Sequence, residues 1–213
     1  MTASISGNKT TLAGLNTASD DAITMTVTDA VTVAEFNTLD GKTSVGVILT
    51  GGVSDAAAAY AATNGTATAG RTARAAQDGD AALTVTDAAT VAQANSVATA
   101  TTGTVQFSGG ITDSADALGA DGNLTSGYNA ARADDSDVNV IINDTPTIAE
   151  LNAIAGGTTG TTTAAVSGNK ADLATLTTAS TDAVTMTVTD AVTVAEFNTL
   201  DGKTNVGVIL TGG

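Results

Sequence analysis

VTDAVTVAEFNTLDGK stands at residues 27–42 and again, letter for letter, at residues 188–203, an offset of 161 residues (188 − 27). The match is wider than this stretch. Residues 24–52 equal residues 185–213 except for Ser44 against Asn205. Upstream, SISGNK at 4–9 answers AVSGNK at 165–170, and TTLAGLNTASDD at 10–21 answers ADLATLTTASTD at 171–182 more loosely. Self-similarity at a fixed spacing marks a repeat array. The chain therefore reads as a repeat-array fragment over 1–213, with one long unit at 1–161 and the start of the next at 162–213. The repeat register already runs within a few residues of Met1, so a piece of a longer protein is expected.

A shorter period lies inside the long one. Brief β-like runs end at Asn8, Asp29, Asp55, Asp87, Asp113, Asp144, Asn169 and Asp190, and each precedes a helix-like segment. Two kinds alternate: TMTVTDAVTVAEFN, LTVTDAATVAQAN and VIINDTPTIAELN are one, VILTGGVSDAAAAY, VQFSGGITDSADAL and VSGNKADLATL the other. The wider gaps hold Gly/Ala/Thr-rich inserts at 62–77 and 120–133, which read as longer loops or extra helix. The runs alternate as half-buried strands do. Met25 and Val27 point one way and Thr26 and Thr28 the other, a pattern repeated by Leu83/Val85 and Met186/Val188, while Val140 and Ile142 take the inward places of the fourth run.

The helices carry a start signal. Thr32 with Glu35, Thr90 with Gln93, Thr147 with Glu150 and Thr193 with Glu196 each form the Ser/Thr-x-x-Glu/Gln spacing of a capping box. In that motif the hydroxyl accepts the N3 amide and the N3 side chain accepts the N-cap amide. Asp40-Gly41 and Gly156-Gly157 stop the helices after about two turns. Counted from each capping Thr, apolar residues fall at +1, +4 and +7: Val33, Phe36, Leu39; Val91, Ala94, Val97; Ile148, Leu151, Ile154; Val194, Phe197, Leu200. Position +5 is always Asn (Asn37, Asn95, Asn152, Asn198) and lies one turn after +1. Buried amides must be hydrogen-bonded, so these four are expected to form a structural ladder between neighbouring coils.

Strand–helix–strand units with short connections give parallel strands. The fold class expected is α/β, a solenoid of parallel strand–helix coils. The alternative places the two strand types in separate facing sheets, a flattened β-solenoid with short helical corners. Gly51-Gly52 and Gly109-Gly110 read as a bulge or corner between two short strands.

Composition narrows the function classes. With 22 acidic and 7 basic residues the net charge is −15, which disfavours nucleic acid and anionic membranes. No run approaches the ~20 apolar residues of a membrane helix. There is no His and no Cys, which removes the commonest general base and the best nucleophile; Lys9/Lys170 and Lys42/Lys203 are copies within the repeat, so the chain is read as not an enzyme. Aromatics are only 2% of the chain, which suits thin regular layers rather than a thick core.

With the VTDAxTVAxxN and GGITDSADAL motifs in view, the whole chain resembles repeat regions of giant cell-surface proteins of cyanobacteria, and more loosely bacterial adhesin stalks. The resemblance implies an extracellular or cell-surface location, a structural role as a filament or surface-layer (S-layer) spacer, and end-to-end self-association with further repeat units. The GGxGxD core of calcium-binding RTX repeats is absent.

Two further chemistries compete with the spacer reading. Acidic turns before the first strand type, Asp20-Asp21, Asp78 with Asp80, Asp134-Asp135 with Asp137, and Asp182, are candidate calcium ligands, because calcium takes several carboxylate oxygens in flexible loops. They would make the chain a calcium-dependent adhesin module, for which ordered inserts at 62–77 and 120–133 would be the discriminator. The competing reading is a solvated acidic turn. Asp29, Asp87 and Asp190 differ: they immediately precede helices and are expected to cap them. The outward Thr pairs raise an ice-binding solenoid as a remote alternative, although Thr is simply a good exposed strand residue.

Overall fold

A computed structural model describes residues 2–212. It divides into two compact units, residues 1–109 and 110–213. Unit one runs β1 (Thr2–Gly7), α1 (Lys9–Ala13), β2 (Ala22–Val27), α2 (Val33–Asp40), β3 (Val47–Leu49), β4 (Val53–Asp55), α3 (Ala57–Tyr60), α4 (Ala69–Gln77), β5 (Leu83–Val85), α5 (Val91–Ala98) and β6 (Val105–Phe107). Unit two runs β7 (Ile111–Asp113), α6 (Ala115–Leu118), β8 (Gly119–Ala120), β9 (Asn123–Leu124), α7 (Ser126–Asp134), β10 (Val140–Ile142), α8 (Ile148–Ala155), β11 (Thr162–Gly168), α9 (Lys170–Leu173), β12 (Ala183–Val188), α10 (Val194–Asp201) and β13 (Val208–Leu210).

The fold is mixed α/β with parallel sheets, and no sheet closes into a barrel among the described residues. Unit one holds the sheets β1-β2-β3 and β4-β5-β6; unit two holds β13-β12-β11-β10-β7 and a small antiparallel β8-β9 ribbon. The two strand types alternate as neighbours within one ladder: Ile5 pairs Met25, Val53 pairs Leu83, and Val140 pairs Thr162. That corrects the alternative in which each type forms its own sheet. The reason is the short connection: a strand followed by a two-turn helix returns beside itself, so consecutive strands pair.

Alternation works as the period demands. Met25, Val27, Leu83, Val85, Val140, Met186 and Val188 are buried, while the intervening threonines face outward. The corners at Gly51-Gly52 join β3, which pairs back to β2, to β4, which pairs forward to β5. Gly52 has φ +73°, in the left-handed region, and a Cβ at Gly51 would stand 2.2 Å from the Asp29 carbonyl carbon. Only glycine fits both places.

The inserts are ordered. Residues 62–77 contain α4, which packs on α2 and α3, and residues 120–133 contain β9 and most of α7, which packs on α6. No helix of the described residues is long and apolar enough to cross a membrane.

Candidate functional site

All four threonine capping boxes are complete. The amides of Glu35, Gln93, Glu150 and Glu196 donate to the Thr hydroxyls at 3.2–3.3 Å, and the Thr amides donate back to the acid or amide side chains at 2.7–3.0 Å. These bonds set the acidity of the glutamates. Lys9 beside Glu35 lowers its carboxyl first, with the Thr32 amide adding to it. The Thr147 amide and hydroxyl lower Glu150. The Thr193 amide, then Lys170, push Glu196 down to about 2.

A second cap comes from elsewhere in the chain. Asp29 Oδ1 accepts the Lys9 amide at 2.7 Å, Asp55 Oδ2 the Val33 amide at 3.0 Å and Asp87 Oδ1 the Ala57 amide at 2.6 Å. In unit two, Asp144 takes Ala115 at 2.7 Å and Asp190 takes Lys170 at 2.8 Å. Each donor is the first residue of a helix lying one strand–helix segment back. This corrects the expectation for Asp29, Asp87 and Asp190, which cap the preceding segment's helix and not their own. The physical reason is that Thr32, Thr90 and Thr193 already occupy the local N-cap. The carboxylate three residues earlier turns across the sheet to the adjacent helix N-terminus, whose partial positive charge favours it.

The asparagine ladder is also corrected. Asn37, Asn95 and Asn198 are exposed. Only Asn152 bridges segments, donating to Thr175 O at 3.1 Å and accepting the Thr177 amide at 2.7 Å. Position +5 sits at the edge of the apolar stripe, and of the four only Asn152 hydrogen-bonds the neighbouring chain, at 175–177.

The acidic turns serve the backbone as well. Asp21 accepts the Ala18 amide at 3.1 Å, and its repeat copy Asp182 accepts Ala179 and Thr162 at 2.8 Å each. Asp78 accepts the Leu49 amide at 2.5 Å. Burial raises the Asp78 carboxyl above its ordinary range, and the neighbouring Asp80 adds to the rise. Asp20, Asp80, Asp134 and Asp137 are exposed, and Asp135 is buried. Among the described residues no group of three or more acidic side chains gathers where a metal ion could be held.

The basic side chains were missed as a class by sequence reasoning. All seven reach to another segment. Lys9 and Lys170 pair with Glu35 and Glu196, at 2.8 and 3.1 Å; Lys42 donates to Leu15 O at 2.8 Å, and Lys203 donates to Leu176 O. Arg71 donates to Ser96 O at 2.5 Å, Arg132 to Gly157 O at 3.3 Å, and the fully buried Arg74 to Asp78 O and Ala100 O at 2.7 Å each. The signal available in sequence was scarcity: a chain at −15 with seven cations has few to leave idle.

Two hollows are present in unit one. One of about 250 Å³ lies between α1 and α2, lined by Lys9, Thr10, Ala13, Glu35, Thr38 and Leu39; the other, about 320 Å³, has Asp78 and Asp80 on its wall. The outward face offers rows that mix residue types: Ser6–Thr26–Ile48, Ser54–Thr84–Gln106 and Ser167–Thr187–Ile209 in register. The TxT pairs thus stand on single strands and do not continue sideways as threonine ladders.

The repeated segment meets two surroundings. In unit one Val33, Phe36, Val47 and Leu49 are buried; in unit two their copies Val194 and Leu210 are exposed, and Phe197 and Val208 are half-buried. Comparison with protein-family models, with characterised proteins and with solved structures gave no match.

Proposed function

We propose that this chain is a structural repeat module of a large extracellular surface protein or filament, whose 161-residue units stack end to end as a solenoidal rod or surface-layer spacer. The observation that carries this reading is that the copies repeat their segment-to-segment contacts and not only their letters. Lys42 to Leu15 O recurs as Lys203 to Leu176 O, Asp29 to the Lys9 amide as Asp190 to the Lys170 amide, and Lys9–Glu35 as Lys170–Glu196. A chain that spends its seven cations and most of its paired carboxylates on bridging its own segments is built for stacking. A surface location rests on the family resemblance and on the acidic, Thr-rich composition.

Chains carrying one, two and three additional 161-residue units test the proposal by electron microscopy. The spacer reading expects particles of constant width whose length grows by a fixed increment per unit. Particles that grow in all directions, or strings of independent globules, would overturn it.

A further inference from the structure

The near-twin segments place one surface in two settings. Val33 is 6% exposed and Leu49 3%, whereas Val194 is 79% and Leu210 49% exposed. In unit one the cover is residues 53–78. Val53 bridges to Val31 as a parallel neighbour, Asp55 accepts the Val33 amide, and Asp78 accepts the Leu49 amide. The α4 helix then lies so close on α2 that a Cβ at Gly70 would stand 2.5 Å from Val33 Cγ1 and 2.8 Å from Asn37 Nδ2. In unit two the sequence that receives this cover is unchanged at every one of those positions: Val192, Val194, Asn198 and Leu210. The corner is repeated too, since a Cβ at Gly212 would stand 2.3 Å from Thr189 O, as tightly as at Gly51.

We infer that the face carrying Val192, Val194, Phe197, Val208 and Leu210 is a docking surface, and that its occupant is a further copy of this repeat's own 53–78 segment. The inference rests on the spacer reading and deepens it by naming what one unit recognises in the next. Recognition has three parts. A short strand beginning with valine pairs beside Val192. Carboxylates in the places of Asp55 and Asp78 take the Val194 and Leu210 amides, the first at a helix N-terminus that favours negative charge. A helix with glycine in the place of Gly70 closes over Val194 and Phe197, and removing that apolar surface from water supplies the drive. A segment displaced in register by a few residues brings neither the carboxylates nor the glycine to these positions.

The chain has no tryptophan, so Phe197→Trp gives a single reporter on this face. The variant is made in the full chain and in a chain extended after Gly213 by residues 53–109. A third chain carries an extension of equal length taken out of phase, and a fourth the in-phase extension with its counterpart of Gly70 changed to Leu. The inference expects a blue shift of emission and loss of quencher access with the in-phase extension only. Unshifted emission there, with circular dichroism showing added helix, overturns it, and so does an equal shift with the out-of-phase extension. Should the reporter variant fail to fold, hydrogen exchange at the Val194 and Leu210 amides in the otherwise native extended chain decides the matter: slowed exchange supports docking, unchanged exchange refutes it. Sedimentation of the full chain identifies the rival occupant, since concentration-dependent dimers that shield the reporter would make a whole second chain the partner and overturn the assignment. Failure of docking is separable from failure of the spacer reading, because rod growth is read by microscopy on longer chains.

Discussion

At the scale of single residues, Asp29, Asp55, Asp87, Asp144 and Asp190 hold adjacent segments together. The α3 helix depends on this most, because its N-cap is Ala56, which supplies no side-chain bond, and Asp87 is left to accept the Ala57 amide. Asp87→Ala is expected to lower stability in urea by about 1–2 kcal/mol, the usual worth of a lost N-terminal cap. Asp87→Asn, which keeps an acceptor oxygen, should cost less than half as much; equal losses in the two variants would mean that the bond is immaterial. Gly51→Ala should be harsher, about 3 kcal/mol or more, because the methyl meets the Asp29 backbone, which cannot step aside. The threonine caps were legible in sequence because their partners lie three residues away. The aspartate caps were not, since a carboxylate just before a helix looks like that helix's own cap when its true partner is 20 to 30 residues distant.

At the scale of elements, α4 shows how an insert becomes structure. Its Arg74 is wholly buried, with the guanidinium spanning from Asp78 O to Ala100 O. Arg74→Ala strands two carbonyls and opens a cavity, so a loss of about 3–5 kcal/mol is expected in chemical denaturation. Acid should act through the capping boxes. Glu35, Glu150 and Glu196 all sit below their ordinary range when folded, Glu196 at about 2. Such groups add stability that is complete above the unfolded glutamate pKa and is lost as pH falls through the folded value. The denaturation midpoint should therefore drop as pH falls from the ordinary value of 4.5 toward about 2, and Glu→Gln at the three positions should flatten that slope. Asp78 runs the opposite way: its raised carboxyl favours the folded state only at low pH, so Asp78→Asn should be neutral or slightly stabilising at pH 7. The period of two was enough to read β2, β5, β10 and β12, and the +1, +4, +7 stripe to read α2, α5, α8 and α10. It did not separate covered stripes from open ones, because Val33 and Val194 have identical neighbours in sequence and different neighbours in space.

At the scale of the whole molecule, the 161-residue period says what repeats, while the compact units meet at Gly109 and Gly110, a corner of the same kind as Gly51-Gly52. The α/β class and the parallel pairing followed from short runs joined by short helices. The contacts that bind one segment to the next did not, because they join residues far apart in the chain. If calcium bridged the acidic turns, the thermal midpoint would rise on adding it and fall on chelation; the spacer account expects both to leave the midpoint unchanged, since Asp21, Asp78 and Asp182 already accept backbone amides. The central claim is that each segment is completed by the one after it. Residue-resolved hydrogen exchange on the native chain tests this most directly by comparing the amides of Val33 and Leu49 with those of Val194 and Leu210. The account predicts strong protection at the first pair, where Asp55 and Asp78 accept them, and rapid exchange at the second. Equal protection at all four amides would contradict it.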